Sequence, residues 1–206
     1  MIEARGLGKR YGSAAAVDDL TFTIRPGMVT GFLGPNGAGK TTTMRLILGL
    51  DYPSAGSVTV NGRSYAQLSA PMHEVGALLD AGAVHGGRTA RNQLLGLAQT
   101  NGIGRRRVDE VLGIVGLADV AGKRSKGFSL GMRQRLGIAA ALLGNPRIHL
   151  MSEMEHTADH LLVIGRGRLI ADCGMTEFTT RGSGRVPLEQ AYFELTATSV
   201  EYRSAS

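Results

Sequence analysis

Residues 34–41 read GPNGAGKT, a spacing of glycine, lysine and threonine that can bind the phosphates of a nucleotide. Glycines let the backbone curl so that successive N–H groups face phosphate oxygens. The Lys40 ammonium would reach the β- and γ-phosphates, and the Thr41 hydroxyl would ligate Mg²⁺. The residues that this P-loop motif predicts to bind a nucleotide are Gly34, Pro35, Asn36, Gly37, Ala38, Gly39, Lys40, Thr41 and Thr42.

The motif works only between a buried strand and a helix. Residues 28–33 (MVTGFL) form a short apolar run, and residues 41–48 (TTTMRLIL) are compatible with a helix. The N-terminus of that helix adds partial positive charge at the point where the phosphates would lie. Strand, loop and helix therefore follow one another in the required order.

The rest of the chain alternates between strand and helix signals, which predicts an α/β fold. The predicted elements are strands in residues 1–30 and 57–60, helical patterns in residues 88–121, 131–143 and 188–195, and a β-hairpin at residues 161–170. The clearest break in the helical region is the sequence NGIG at residues 101–104.

The composition is that of an ordinary globular protein, with 43% hydrophobic and 19% charged residues. A chain of 206 residues can bury a sizeable core. Its only cysteine, Cys173, excludes an intramolecular disulfide. The sequence begins without a secretory signal, and no apolar run approaches the ~18 residues needed to span a bilayer. We expect a soluble, cytosolic chain.

The net charge of +6 comes mainly from arginine, with basic clusters at residues 105–107 and 123–126. A nucleic-acid surface is one interpretation, but no aromatic residues stand among the basic ones to stack on bases, so no nucleic-acid partner is expected. His156 and His160 have a spacing that can bind zinc. Solvated polar residues on a helix explain that spacing better, and no zinc is expected.

Residues 128–135 read FSLGMRQR and open the predicted helix at residues 131–143. This segment resembles the signature motif LSGGQxQR of ABC transporter ATPases. A serine hydroxyl and free N–H groups at a helix N-terminus make a second phosphate site. The resemblance implies that Ser129 and Gly131 complete the nucleotide site of a partner subunit.

The resemblance covers residues 2–147 and resumes through residue 196. It implies that Tyr11 stacks on adenine, although a tyrosine packed at a strand end is the alternative. It also implies a P-loop NTPase fold: a parallel sheet core, an N-terminal antiparallel β subdomain and a helical insertion at about residues 80–140. A single domain would span residues 1–196, followed by a tail at residues 197–206.

Two positions depart from the family pattern. Where the family has a glutamine that contacts Mg²⁺ and the membrane subunit, this chain has Asp80, which could still serve the metal through water. After the signature helix, the family continues with an apolar strand that ends in Asp-Glu, where Asp supports Mg²⁺ and Glu polarises the attacking water. No such pair follows Pro146.

Two alignments of residues 147–156 (RIHLMSEMEH) are open. In the favoured one, His149 is the switch histidine, and on the order of 35 residues are missing near residues 147–149, judged from average element lengths. In the other, residues 148–151 are a shortened acidic strand, and Glu153 is the catalytic glutamate. Loss of an interior strand would leave two unpaired sheet edges, and we predict that residues 148–151 form a strand that fills part of the gap.

The resemblance implies an ATP-binding subunit of a bacterial exporter of the drug- and antibiotic-resistance branch, with ATP and Mg²⁺ as cofactors. It would form a homodimer, or a heterodimer with another ABC ATPase. It would dock on a membrane permease at the inner face of the cell membrane. Without the acidic pair, we expect impaired hydrolysis. A non-catalytic partner of an intact ATPase, a truncated remnant and a basic nucleic-acid-associated P-loop protein are the alternatives.

Overall fold

The computed structural model describes residues 1–27, 30–80, 84–151, 158–181 and 184–196. Its internal contacts divide the chain into two compact units. The first comprises Met1–Gln67 and Glu153–Ser206, and the second comprises Leu68–Ser152. The P-loop belongs to the first unit, and the signature segment belongs to the second.

The first unit contains the antiparallel subdomain predicted for the N-terminus. Strand β1 (Ile2–Tyr11) pairs with β2 (Ala14–Ile24) on one side and with β4 (Ala55–Val60) on the other, antiparallel in both cases. In β2 the buried residues Leu20 and Phe22 alternate with exposed threonines. This period of two covers one face of the sheet and leaves the other to solvent.

A second sheet of the first unit carries the P-loop. Strand β3 (Thr30–Leu33) is parallel to β7 (His160–Gly165), which pairs antiparallel with β8 (Arg168–Gly174). Residues 161–164 (LLVI) are completely buried, as a continuous apolar run in a parallel strand requires. Residues 166–167 form the turn with positive φ values of 51° and 80°, which confirms the predicted hairpin.

Helix α1 (Lys40–Ile47) follows the P-loop. The remaining elements of this unit are a 3₁₀ turn (Tyr65–Gln67), α6 (Met175–Thr179), β9 (Thr180–Arg181), β10 (Gly184–Arg185) and α7 (Leu188–Thr196). Phe178 of α6 and Ala191 of α7 are buried in one cluster with Leu161 of β7. The amphipathic segment predicted near residue 190 therefore packs over the strand beside the P-loop strand.

The second unit is mainly helical, which confirms the predicted helical insertion. Its elements are α2 (Pro71–Glu74), β5 (Val75–Leu78), α3 (Ala90–Thr100), α4 (Arg105–Ile114), two 3₁₀ turns (Ala118–Val120 and Ser125–Gly127), α5 (Leu130–Leu142) and β6 (Ile148–Met151). Leu94, Leu112 and Leu136, one from each long helix, share one buried core. The predicted break at residues 101–104 separates α3 from α4.

Strand β6 forms where a strand was predicted, and it is parallel to β5, with Val75 opposite Ile148. Helix α5 packs closely on this pair, since a Cβ on Gly76 would lie 2.0 Å from the carbonyl oxygen of Ala141. Among the described strands, β3 and β6 each have a partner on one side only. Of the described parallel pairs, β3–β7 belongs to the first unit and β5–β6 to the second.

No helix in the described part of the chain is both long enough and apolar enough to cross a membrane. The first two residues of the predicted P-loop strand, Met28 and Val29, lie outside the described residues. The predicted tail at residues 197–206 also lies outside them.

Candidate nucleotide-binding site

The P-loop joins the end of β3 to the start of α1 and is shaped by its glycines. Gly37 and Gly39 have φ values of 82° and 100°, which L-residues with a side chain rarely adopt. A Cβ on Gly39 would lie 2.3 Å from the carbonyl oxygen of Ala16, and one on Gly34 would lie 2.4 Å from that of Ile164. The loop thus needs glycine for its backbone conformation and for its close contact with β2 and β7.

Lys40 places its charge against this loop. Its ammonium donates hydrogen bonds to the carbonyl oxygens of Gly34 and, at 3.3 Å, of Pro35. The side chain is half-buried. The ammonium therefore lies among the loop residues that the sequence predicts to surround the phosphates.

The first turn of α1 adds polar groups and a helix N-terminus. Its first turn contains no acidic residue, so no carboxylate opposes the partial positive charge of the helix end. Thr41 is exposed and Thr42 is half-buried. Thr43 is fully buried, and both its N–H and its hydroxyl donate to the Gly39 carbonyl, at 2.8 Å and 2.9 Å. Thr43 therefore fixes the junction of loop and helix, while the Thr41 side chain is exposed at the start of the helix.

The turn of the β7–β8 hairpin forms a hydrogen bond with the P-loop. The N–H of Gly167 donates to the Ala38 carbonyl at 3.1 Å, and the Gly167 carbonyl accepts from the N–H of Asp18 at 2.8 Å. The Arg168 guanidinium forms an ion pair with the Asp18 carboxylate at 2.6 Å. Three parts of the chain that are distant in sequence are thus bonded together at the loop.

Tyr11 lies at the end of β1 in the same unit, with half of its surface exposed. Its hydroxyl donates to Asp51 Oδ2 at 2.9 Å, and the Thr42 hydroxyl is a second hydrogen-bond neighbour. The Lys9 ammonium stands 5.0 Å from the ring centroid. Tyr11 is therefore not part of the hydrophobic core. The stacking of its ring on adenine stays a prediction.

The polar groups around Tyr11 influence one another electrostatically. The Arg45 guanidinium, 2.7 Å from the Asp51 carboxylate, and the Tyr11 hydroxyl lower the pKa of Asp51. The hydrogen bond to Asp51 is the main cause that raises the pKa of Tyr11, and the same carboxylate raises the pKa of Arg45. Near neutral pH the cluster therefore consists of an anionic Asp51 between a cationic Arg45 and a neutral Tyr11.

The predicted signature residues lie in the second unit, at the N-terminus of α5. The Ser129 hydroxyl caps this helix by accepting from the N–H of Met132 at 3.2 Å. Gly131 is exposed, and a Cβ there would meet nothing within 4 Å. Leu130, between them, is 59% exposed. Their contact with a partner's nucleotide stays a prediction.

The remaining predicted residues also stay predictions. Asp80 is exposed, two residues beyond β5. The backbone of His149 pairs with Gly76 in the β5–β6 ladder, and Glu153 lies outside the described residues. The described residues contain no group of three or more His, Cys, Asp or Glu side chains arranged to hold a metal ion.

Sequence reasoning missed three residues that support the site: Asp18, Asp51 and Arg168. Asp18 and Arg168 are 150 positions apart, so no local pattern could pair them. Asp51 precedes Tyr52 and Pro53 and has no motif around it. Only its distance from Tyr11 and Arg45 connects it with the site.

A strand, a glycine-rich loop that holds a lysine, and the free N-terminus of a helix define a P-loop nucleotide-binding domain. The family model for ABC transporters matches residues 17–155. The chain belongs to this family.

Several relatives are ATP-binding proteins of transporters. The bacitracin transport ATP-binding protein BcrA of Bacillus licheniformis is 39% identical over 172 residues, which cover 82% of this chain and 56% of the relative. The uncharacterized ABC transporter ATP-binding protein YhcH of Bacillus subtilis is 32% identical over 209 residues, which cover 82% of this chain and 68% of YhcH. The lantibiotic transport ATP-binding protein SrtF of Streptococcus pyogenes is 26% identical over 208 residues, which cover 84% of this chain and 90% of SrtF. This chain thus spans little more than half the length of BcrA.

Solved structures confirm the fold. An ATP-binding subunit of an ABC transporter superposes with a TM-score of 0.81 at 22% identity, covering 95% of this chain and 99% of the other. The dimeric bacterial ABC transporter cassette MJ0796 superposes with a TM-score of 0.75 at 19% identity, covering 88% of this chain and 100% of the MJ0796 chain. At these identities the superpositions establish the fold alone.

Proposed function

We propose that this chain is the ATP-binding subunit of an ABC-type exporter and that it binds ATP with Mg²⁺ on its P-loop. The observation that carries this proposal is the geometry of residues 34–40, where glycine contacts fix the loop and the Lys40 ammonium lies inside it. The similarity to BcrA, a bacitracin transport protein, and to SrtF, a lantibiotic transport protein, supports export as the process.

The magnesium ion would be held by few groups of this chain. The exposed Thr41 hydroxyl at the start of α1 is a suitable hard oxygen donor, and the other ligands would come from the nucleotide and water. When bound, Mg²⁺ neutralises charge that develops on the phosphates. Asp80 would act only through water. This donor set fits nucleotide-dependent binding of the metal rather than a permanent metal site.

We also propose that hydrolysis is impaired because a segment of the chain is missing near residues 147–149. The match to YhcH extends over 209 positions, more than the 206 residues of the whole chain, yet includes only 82% of this chain. The match to SrtF extends over 208 positions and includes 84%, or about 173 residues, so about 35 of its positions have no counterpart in this chain. The SrtF match supports a missing segment of the proposed length, whereas the match to BcrA, over 172 positions and 82% of this chain, leaves only about three such positions.

The loss removes the carboxylates that catalysis needs. Strand β6 follows α5 in the chain order of the acidic strand, but residues 148–151 (IHLM) contain no carboxylate. With His149 as the switch histidine, both acidic residues are absent. With Glu153 as the catalytic glutamate, Ser152 replaces the aspartate. Either alignment predicts a loss of several orders of magnitude in turnover, at about 1.4 kcal/mol per factor of ten.

The functional assembly that we propose is a head-to-tail dimer docked on a membrane permease at the inner face of the cell membrane. MJ0796, which shares the fold, has a dimeric structure. In this chain the exposed N-terminus of α5 carries Ser129 and Gly131, the groups that would face a partner's nucleotide.

The first experiment measures ATP affinity and ATP turnover on the same purified chain, with Lys40→Ala as the inactive variant. We expect binding that depends on Lys40, with turnover near the background rate. Absence of binding by a folded chain would refute the nucleotide-binding proposal. Rapid turnover that is lost in Lys40→Ala would refute the proposed impairment.

A graft tests the missing segment directly. The corresponding segment of SrtF, inserted between residues 147 and 148, should raise turnover by about 10³-fold or more if positioning and charge around Mg²⁺ supply most of the catalysis. The control is the same graft with its acidic pair changed to Asn-Gln. If Ser152→Asp in the ungrafted chain restores turnover by itself, the alignment with Glu153 as the catalytic residue is correct and no acidic strand is missing.

A second candidate is a non-catalytic subunit that pairs with an intact ABC ATPase. The observation in its favour is that the capped α5 terminus is present and exposed although this chain's own acidic pair is absent. Such a subunit would bind ATP and would supply Ser129 and Gly131 to its partner's site. Co-purification with an intact ATPase, whose turnover then falls on Ser129→Ala in this chain, would distinguish the heterodimer from a homodimer.

A further inference from the structure

Three charged side chains of the first unit form the surroundings of Tyr11, two by direct contact and one through Asp51. Asp51 accepts the hydrogen bond of the Tyr11 hydroxyl, Arg45 holds Asp51, and Lys9 stands over the ring. None of these three residues belongs to the P-loop motif. They lie on β1, on α1 and just after α1.

The hydroxyl of the ring donates a hydrogen bond to Asp51, and Asp51 also accepts one from Arg45. The Tyr11–Asp51 distance is 2.9 Å, and the Arg45 Nε–Asp51 distance is 2.7 Å. Arg45 stands one turn beyond Thr42 on α1, and the Thr42 hydroxyl is itself a neighbour of the Tyr11 hydroxyl. The ring is thus connected by hydrogen bonds to α1, the helix that begins at the P-loop.

One face of the ring is already covered. The Lys9 ammonium, 5.0 Å from the ring centroid, is held by the carbonyl oxygen of Tyr52 at 2.7 Å. A cation over an aromatic face is favourable at this distance. Because an aromatic ring has two faces, only the face opposite Lys9 is left for a planar ligand.

We propose that Asp51, oriented by Arg45, is a positioning residue that holds the Tyr11 ring so that a nucleobase stacks on the face opposite Lys9. This inference rests on the proposed ATP binding and adds the residues that define its base subsite. The subsite recognises the aromatic plane of a base, because base–aromatic stacking tolerates any base. The phosphates are recognised separately, by the P-loop.

The separation of base and phosphate subsites provides the test. Calorimetric titration would compare Mg-ATP with Mg-tripolyphosphate, which has the phosphates without the base. We expect Tyr11→Ala to weaken Mg-ATP binding at least fivefold, as loss of a base stack predicts. Asp51→Ala and Tyr11→Phe should each weaken it about two- to tenfold, as loss of one hydrogen bond predicts. Tripolyphosphate affinity should stay unchanged in all three variants.

Two controls make the outcome decisive. Asp119→Ala removes an exposed carboxylate of the second unit and should change neither affinity. The double variant Tyr11→Phe/Asp51→Ala should be no weaker than either single variant, because both remove the same hydrogen bond. Equal losses for ATP and tripolyphosphate in Asp51→Ala, or an unchanged ATP affinity, would overturn the inference. Failure of the unmodified chain to bind either ligand would instead overturn the proposed function.

Discussion

The P-loop region and the region around β6 occupy different units of the molecule and differ in how completely they are built. The P-loop is fixed by close contacts to β2 and β7, by Thr43 and by the hairpin turn at Gly167. Strand β6 has a single described partner strand, β5, and carries no carboxylate. The P-loop residues are therefore fixed by several contacts, whereas residues 148–151 supply no carboxylate, and the impaired hydrolysis stays a proposal.

This difference shows that binding and catalysis have separate structural requirements in one domain. Phosphate binding uses backbone N–H groups, a lysine and a helix terminus, all of which are supplied within residues 34–43. Hydrolysis needs carboxylates delivered from a separate strand. A chain can lose the second set and keep the first.

The largest loss of stability should come from adding a methyl group to the P-loop at Gly39, where the loop contacts β2. Gly39→Ala would place Cβ 2.3 Å from the Ala16 carbonyl in a backbone with φ of 100°, so we expect a loss of about 3 kcal/mol or more in unfolding free energy. The matched variant is Gly37→Ala, which has φ of 82° but open space, and it should cost only about 1–2 kcal/mol. Urea unfolding measures both. Equal costs would mean that the loop is not held by contact with β2.

A smaller effect is expected from the charge inside the loop. Lys40→Ala should weaken Mg-ATP binding about 10- to 100-fold, the loss expected for a charge-assisted hydrogen bond, with little change in the unfolding midpoint. Lys126→Ala, an exposed lysine of the second unit, is the control and should bind ATP normally. A comparable loss in both variants would show that general positive charge, rather than the loop, attracts the nucleotide.

The second unit can be weakened without touching the P-loop. Thr89 caps α3 by accepting from the N–H of Asn92 at 3.1 Å, and Thr89→Ala should destabilise the helix by about 0.5–2 kcal/mol. Thr89→Ser should keep most of that stability, since serine caps as well. Urea unfolding gives the stabilities, and calorimetry should find ATP affinity within about twofold of the unmodified chain. A large loss of affinity would mean that the two regions are energetically coupled.

The smallest effect concerns pH. The pKa of Asp51 is lowered from 3.8, chiefly by Arg45, so its folded form binds protons less readily than its unfolded form. The resulting stabilisation is complete above the unfolded pKa and disappears as the pH falls through the lower folded pKa. The free energy of unfolding should therefore be insensitive to this group from pH 5 upward and decline only in more acidic solution. In Asp51→Asn this group's share of the acidic decline should be absent when urea unfolding is repeated against pH.

Local patterns were enough to predict most of the elements. The P-loop, its strand and helix, the capped α5 and the hairpin at residues 161–170 were each readable from a few adjacent residues, because glycine conformations, helix caps and runs of apolar residues are local properties. The strand at residues 148–151 was predicted from the need to cover an open sheet edge, and β6 forms there.

The sequence by itself determined the phosphate loop, the α/β class and the family signature, because each depends on residues within about ten positions of one another. The tertiary structure decided which distant groups meet: Gly167 with Ala38, Arg168 with Asp18, and Asp51 with Tyr11. It also decided that β6 pairs with β5 and that β3 pairs with β7. These outcomes depend on how separate strands come together in space, and no spacing along the chain encodes that directly.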